Sequence, residues 1–275
     1  MTIGGLHDSR GTVLILLVFF LAEILGCSSG RVKFEDMPTP APSVLFAKVQ
    51  ANRAALKDFE GSGSLEISNS KMGRSIMGVA LQHVRPDHLL FSVHGPMGIH
   101  LGSLLLDGER YELSYGLPPV HAEGKLEDFQ FPEDFGFLLS GEGILRVLLP
   151  LELISSPSDS ATILKDIESR QFRLDWSIGE QHHSLWIDPY RPVCTRDLML
   201  SSPGDTLVIK EIGEISRRNG VHFPLEWNLR LGRAEEENFM RFKLRRVAIN
   251  TGLEPGDLRL APPVPADTLE VGHGG

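Results

Sequence analysis

From Ser64 to Leu244 the apolar residues of this 275-residue chain recur at every second position in run after run, each broken off by turn residues. A strand sends alternate side chains to opposite faces, so this period restricts the chain to sheets with one face in a core. Five such runs are Ser64–Ile67, Arg74–Val84, His88–Val93, Ile99–Leu106 and Tyr111–Tyr115, separated by Asn69/Gly73, Arg85-Pro86, Gly95-Pro96 and Asp107-Gly108. Six more follow in Phe172/Leu174/Trp176/Ile178, Leu185/Ile187, Cys194/Leu198/Leu200, Val208–Ile215, Phe223 to Leu231 and Met240/Phe242/Leu244. An antiparallel sheet of about eleven strands does not stay flat. It curls, and helices at its mouth turn it into an unclosed barrel with an interior. The expected fold class is therefore mainly β, and the even spread of 28 Gly and 18 Pro fits many short elements.

Two segments have helical spacing instead. In Ser43–Phe59 the residues Leu45, Val49, Leu56 and Phe59 fall on one stripe, with Ser43 placed to cap it and Gly61 beyond its end. Asn52 and Arg53 interrupt the stripe, but Ala47, Ala51, Ala54 and Ala55 are good helix formers around the gap. The stretch Phe135–Leu149, broken at Gly141/Gly143 and stopped by Pro150, predicts two short helices. Pro38, Pro40 and Pro42 make an extended strap of the residues before the first helix, and the tail from Pro262 has too little apolar content to pack.

The N-terminus predicts the compartment. Val13–Ala22 is ten consecutive apolar residues behind Arg10, too short for the roughly 20 that span a bilayer but suited to a signal peptide. It ends in Ile24-Leu25-Gly26-Cys27, which resembles a bacterial lipobox. That resemblance implies that Cys27 takes a diacylglyceryl group, becomes the first mature residue and is then N-acylated. Acyl chains at about 0.8 kcal/mol per buried CH₂ hold such a chain on its leaflet. Ser28 and Ser29 follow where an Asp would mark inner-membrane retention, which points to the periplasmic face of the outer membrane. Gly26 to Gly30 also spells G-x-S-x-G, yet a nucleophile elbow needs a strand before it and a helix after it, not a cleavage site. The expected organisation is a signal peptide over 1–26, a tether over 27–42, a folded body over 43–261 and a disordered tail over 262–275.

Other chemistries find little support. Lys+Arg of 27 against Asp+Glu of 36 gives a net charge of −9 with no basic run, which excludes nucleic acid as a partner. Of the ten histidines, the neighbours His182 and His183 point to opposite strand faces, and His83, His88, His94 and His100 have no Cys nearby, so no metal is expected. With Cys27 acylated, Cys194 has no disulfide partner and is expected as a free buried thiol. The run Glu235-Glu236-Glu237 reads as a solvated hairpin tip. No strand pattern puts two carboxylates on an inward face, so no catalytic residue and no enzymatic activity are expected, and no cofactor apart from the acyl groups on Cys27.

One stretch carries a residue pattern as well as a period: Arg85-Pro86-Asp87-His88-Leu89-Leu90-Phe91-Ser92-Val93-His94-Gly95-Pro96-Met97-Gly98, followed by Leu104-Leu105-Leu106-Asp107-Gly108. With the order lipobox, helix, meander, short helices and second meander, it resembles the LolA/LolB superfamily, LolB-like outer-membrane lipoproteins in particular. The resemblance implies a half-barrel capped by helices whose apolar concavity holds acyl chains of a client lipoprotein or lipid. A loop between the third and fourth strands would meet the inner leaflet of the outer membrane. Pro96, Met97 and Gly98 occupy that loop. Met77, Val79, Leu81, Phe91, Trp176 and Trp227 are the candidates for the cavity wall. Implied partners are the acyl chains, the membrane leaflet and a periplasmic carrier protein. A non-catalytic scaffold or lipid-stress sensor on the same fold is the alternative.

Overall fold

The computed structural model describes residues 33–69, 73–116, 120–129, 141–202, 204–232 and 238–260. The signal peptide, Cys27, the first of the two expected middle helices, the Glu235–Glu237 run and the tail from residue 262 lie outside them. The chain divides at Pro38. The described part of the first unit is a 3-10 turn, Phe34–Asp36, that interrupts the expected extended strap, although Met37 behind it is extended (φ −64°, ψ 134°).

The second unit opens with helix α1 (Pro42–Ala55). Among the described residues fifteen strands follow: β1 (Asp58–Asn69), β2 (Gly73–Val84), β3 (His88–His94), β4 (His100–Asp107), β5 (Arg110–Tyr115), β6 (Val120–Lys125), β7 (Thr162–Asp166), β8 (Gln171–Ile178), β9 (Gln181–Ile187), β10 (Cys194–Leu200), β11 (Thr206–Ile212), β12 (Ile215–Arg218), β13 (Val221–Pro224), β14 (Glu226–Leu231) and β15 (Phe239–Ile249). Helix α2 (Gly141–Leu148) stands between β6 and β7. Thirteen strands form one antiparallel sheet in the order β6-β5-β4-β3-β2-β1-β15-β14-β11-β10-β9-β8-β7, and β12 and β13 form a separate ribbon. The first and last strands are thus neighbours in the middle of the sheet, paired from Phe59↔Ile249 to Ser68↔Phe239 with one slip of register between Ser62 and Gly63.

β6 and β7 stand at opposite ends of that order, so the sheet is unclosed, as the alternation predicted. Its curl shows in the core. Leu81 and Leu104 from one half and Trp227, Leu229 and Phe242 from the other share one buried cluster with Ile144, Val147 and Leu148 of α2. Trp227 stacks on Phe242 at 4.7 Å between ring centroids, and Phe91 meets the edge of Phe242 at 6.4 Å. Such aromatic pairs add about 0.5–1.5 kcal/mol beyond the area they bury.

The structure corrects several elements. α1 begins at Pro42, whose ring suits the first turn, so Ser43 lies inside the helix and Ala41 occupies the N-cap. It stops at Ala55, because the Lys57 and Asp58 N–H groups donate to the Asn250 side chain and Phe59 belongs to β1. The expected run Val208–Ile215 divides at Gly213, and Phe223 to Leu231 divides at Leu225, giving the β12–β13 ribbon. β6 and β7 were not legible as strands. β6 is the sequence Val-His-Ala-Glu-Gly-Lys, largely exposed at one sheet edge, and β7 lies in a polar stretch at the other.

Candidate functional site: the turn between β3 and β4 and the cleft beside it

The five residues joining β3 to β4 form a tight loop closed by the Gly95 N–H donating to the Ile99 carbonyl at 2.7 Å. Inside it, Gly95 is extended, Pro96 opens a 3-10 turn, Met97 sits at φ 59°, ψ 17°, and Gly98 at φ 79°. Glycine reaches this left-handed region freely, whereas a side-chain-bearing residue pays on the order of 1 kcal/mol there. Met97 adopts it with its thioether pointing into solvent, 96% exposed. Ile99, 45% exposed, and Ile76, 64% exposed, extend the apolar surface.

Beside the turn the sheet has a step. Pairing of β2 with β3 begins at Gly78↔His94, so Gly73–Met77 run on past the end of β3 with only β1 alongside. The step opens a cleft of about 300 Å³ lined by Ile76, Met77, Gly78, Gly95, Pro96 and Arg245. Arg245 shares the outward face of its strand with Arg241 and Lys243 and sits at a β-bulge: the β1–β15 register slips between Ser62↔Arg246 and Gly63↔Leu244, which leaves Arg245 with no cross-strand partner. Gly63 is required at that point, since a Cβ would overlap the Lys243 carbonyl oxygen and come within 2.7 Å of Leu244 Cα.

The cavity-wall candidates are placed differently from one another. Met77 lines the open cleft. Val79, Leu81, Phe91 and Trp227 belong to the packed core, which fills the concave face at those positions with its own side chains. Trp176 is buried on the other half of the sheet, stacked on His183 at 5.2 Å.

A buried polar network ties α1, the segment after α2 and the second meander together, and no sequence pattern announced it. The Arg53 guanidinium of α1 makes a two-pronged pair with the Glu152 carboxylate, and Arg85 approaches the same carboxylate at 3.8 Å. Lys210 Nζ donates to the carbonyls of Arg146, Leu149 and Glu152 at 2.6–2.8 Å, the polar end of α2. Asp197 accepts from the Ile154 N–H at 2.7 Å. Asn52, the interruption in the α1 stripe, exchanges two hydrogen bonds with the backbone of His222.

The histidines are accounted for singly. His83 is buried and its Nδ1 donates to the His88 carbonyl at 2.8 Å, while His88 lies between Asp87 and Asp107. The rings of His94 and His100 meet edge to face at 5.4 Å. His182 is exposed and His183 buried, on opposite strand faces as predicted. Among the described residues no three His, Cys, Asp or Glu side chains converge as metal ligands. Cys194 is a free buried thiol, and burial pushes its pKa well above the usual thiol value, which leaves it unreactive.

No protein-family model matches the sequence, and comparison with curated proteins gives no match. Solved structures do match. A DUF1329 family protein from Desulfovibrio piger superposes with a TM-score of 0.55 at 10% identity over 78% of this chain and 96% of its own. A domain from Vibrio parahaemolyticus named for outer-membrane lipoprotein sorting superposes with a TM-score of 0.53 at 12% identity over 77% of this chain and 94% of its own. At identities this low the likeness is one of fold. This chain, with its curled, unclosed antiparallel sheet entered through an N-terminal helix, shares the fold of these two structures.

Proposed function

We propose that this chain is an outer-membrane lipoprotein, held on the periplasmic face by the acyl groups of Cys27, that binds the acyl chains of lipoproteins or lipids and touches the membrane with Met97. The work is non-catalytic. The observation that carries this reading is Met97: an apolar side chain held 96% exposed by a strained turn, next to an open apolar cleft, is costly for a surface with no partner. The likeness to a domain named for lipoprotein sorting supports the same reading. The packed interior around Trp227 and Phe242 favours the cleft, rather than a deep barrel cavity, as the place where an acyl chain rests. That same packing is what a scaffold or lipid-stress sensor would need, and this is the second reading.

Flotation with phospholipid vesicles of the chain from Ser28 onward, which lacks both the apolar leader and Cys27, tests the proposal. Burying one Met side chain contributes about 1.5–3 kcal/mol, so Met97→Glu should lower vesicle partitioning by about tenfold or more while Met97→Leu preserves it. Equal partitioning of all three proteins, with no uptake of a fluorescent fatty acid, would leave the scaffold reading standing.

A further inference from the structure

We infer that the cleft beside the β3–β4 turn is a phospholipid headgroup site in which Arg245 binds the phosphate of an anionic lipid whose acyl chain lies on Ile76, Met77 and Pro96. The inference rests on the membrane-contact reading above and adds a ligand class to it.

Charge pairing along β15 is the starting observation. Its outward residues are Arg241, Lys243, Arg245 and Arg246. Arg241 pairs with Glu66 at 3.7 Å and Glu226 at 3.8 Å, and Lys243 pairs with Glu226 at 3.2 Å. Arg245 has no ion pair or hydrogen bond among the described residues, although the chain as a whole carries nine excess negative charges. Arg246 beside it is likewise without a pair among the described residues, but of the two only Arg245 lines the cleft, and within an acidic protein a free guanidinium at that wall is a local positive potential.

The bulge frees it from the ladder. Counting by twos from Arg241 and Lys243 already turns residue 245 outward, and the extra residue at the slip leaves Arg245 without a cross-strand partner and turns Arg246 outward as well. A bulge leaves its extra residue outside the ladder pairing, and here that residue, Arg245, stands at the wall of the cleft. A guanidinium presents forked N–H donors that match two phosphate oxygens, which an ammonium does not. Apolar wall on one side and free guanidinium on the other are the two halves of a phospholipid: acyl chain and phosphate. A soluble phosphate would use the second half only and leave Ile76 and Met97 bare.

The test uses the full acylated chain in a neutral detergent. It is given phosphatidylglycerol or phosphatidylcholine in mixed micelles, and the lipid retained per chain is counted by native mass spectrometry. Wild type should retain phosphatidylglycerol at about one per chain with an affinity roughly tenfold above phosphatidylcholine. Arg245→Gln should abolish that preference without lowering phosphatidylcholine retention, and Arg245→Lys should restore it only in part. An unchanged preference in Arg245→Gln overturns the headgroup assignment while leaving acyl binding intact. Retention of neither lipid overturns the acyl-binding reading itself. Competition by glycerol 3-phosphate as strong as by phosphatidylglycerol would overturn the lipid as occupant.

Discussion

Asp197 and Lys210 are cross-strand partners in the β10–β11 ladder, and both direct their polar atoms into the segment that follows α2. Lys210 caps the carbonyl end of the helix, and Asp197 holds the first N–H beyond Leu153. Two opposite charges inside the core thus fasten a covering helix to the sheet. Removing one partner strands the other: Lys210→Met should cost about 3–5 kcal/mol, and Asp197→Leu combined with Lys210→Met should cost clearly less than the sum of the two single changes. Urea unfolding of the four proteins gives the coupling. Additive losses would show that the pair does not act as a unit.

The same pair shapes the dependence of stability on pH. Burial pushes the Asp197 carboxyl up to about 6 from its ordinary 3.8, and burial pulls Lys210 down to about 8. Because folded Asp197 holds its proton more tightly than the unfolded chain does, its contribution is complete below about pH 3.8 and is lost as pH rises through about 6. His83 works in the opposite sense. Burial lowers its pKa below 6.5, so its contribution is complete above 6.5 and is lost as the solution is acidified through the lowered folded value. Thermal unfolding between pH 4 and 8 should show Asp197→Asn gaining on wild type as pH rises from 4 to about 6 and holding that gain above it, and His83→Gln flattening the acid side. Parallel curves for all three would contradict both assignments.

Gly63→Ala should destabilise the sheet by about 1–3 kcal/mol, since the added methyl meets backbone of β15 that cannot swing aside. Ser64→Ala, one residue on, should be within about 0.5 kcal/mol of wild type. Chemical denaturation distinguishes the two, and a neutral Gly63→Ala would mean that the bulge relaxes.

Cys27→Ala should leave the precursor unprocessed or release the chain from membranes. Fractionation of an expressing Gram-negative cell into soluble and outer-membrane pools reads this directly. Continued outer-membrane partitioning would remove the acyl anchor from the proposal.

The sheet was legible in the sequence where alternation is uninterrupted, and illegible where local geometry resets it. Counting by twos from Cys194 puts Leu198 and Leu200 on the buried face. The bulge between Cys194 and Arg196 shifts the count, so the buried position goes to Asp197, a charged residue that no apolar pattern marks. Asn52 looked like a flaw in the α1 stripe because its role depends on the backbone of His222, 170 residues away. β6 and β7 escaped because edge strands bury little and therefore need little apolar content. Of the site, the Pro96–Met97–Gly98 turn was readable from its own residues. Arg245 was not, since alternation marks it only as one more outward residue, and its place outside the ladder depends on a register slip against a strand near the other end of the chain.

The pairing of β1 with β15 also sets a schedule. Phe59 cannot find Ile249 until 190 residues of intervening chain are available, and loop closure over such a span is slow compared with the hairpins on either side. A chain emerging vectorially, from a ribosome or a translocation channel, therefore carries β1 as an open edge through nearly the whole of its synthesis or passage. Truncation anywhere before Phe239 would leave that edge permanently unpaired, so the final strand decides whether the product is a single sheet or two sticky halves.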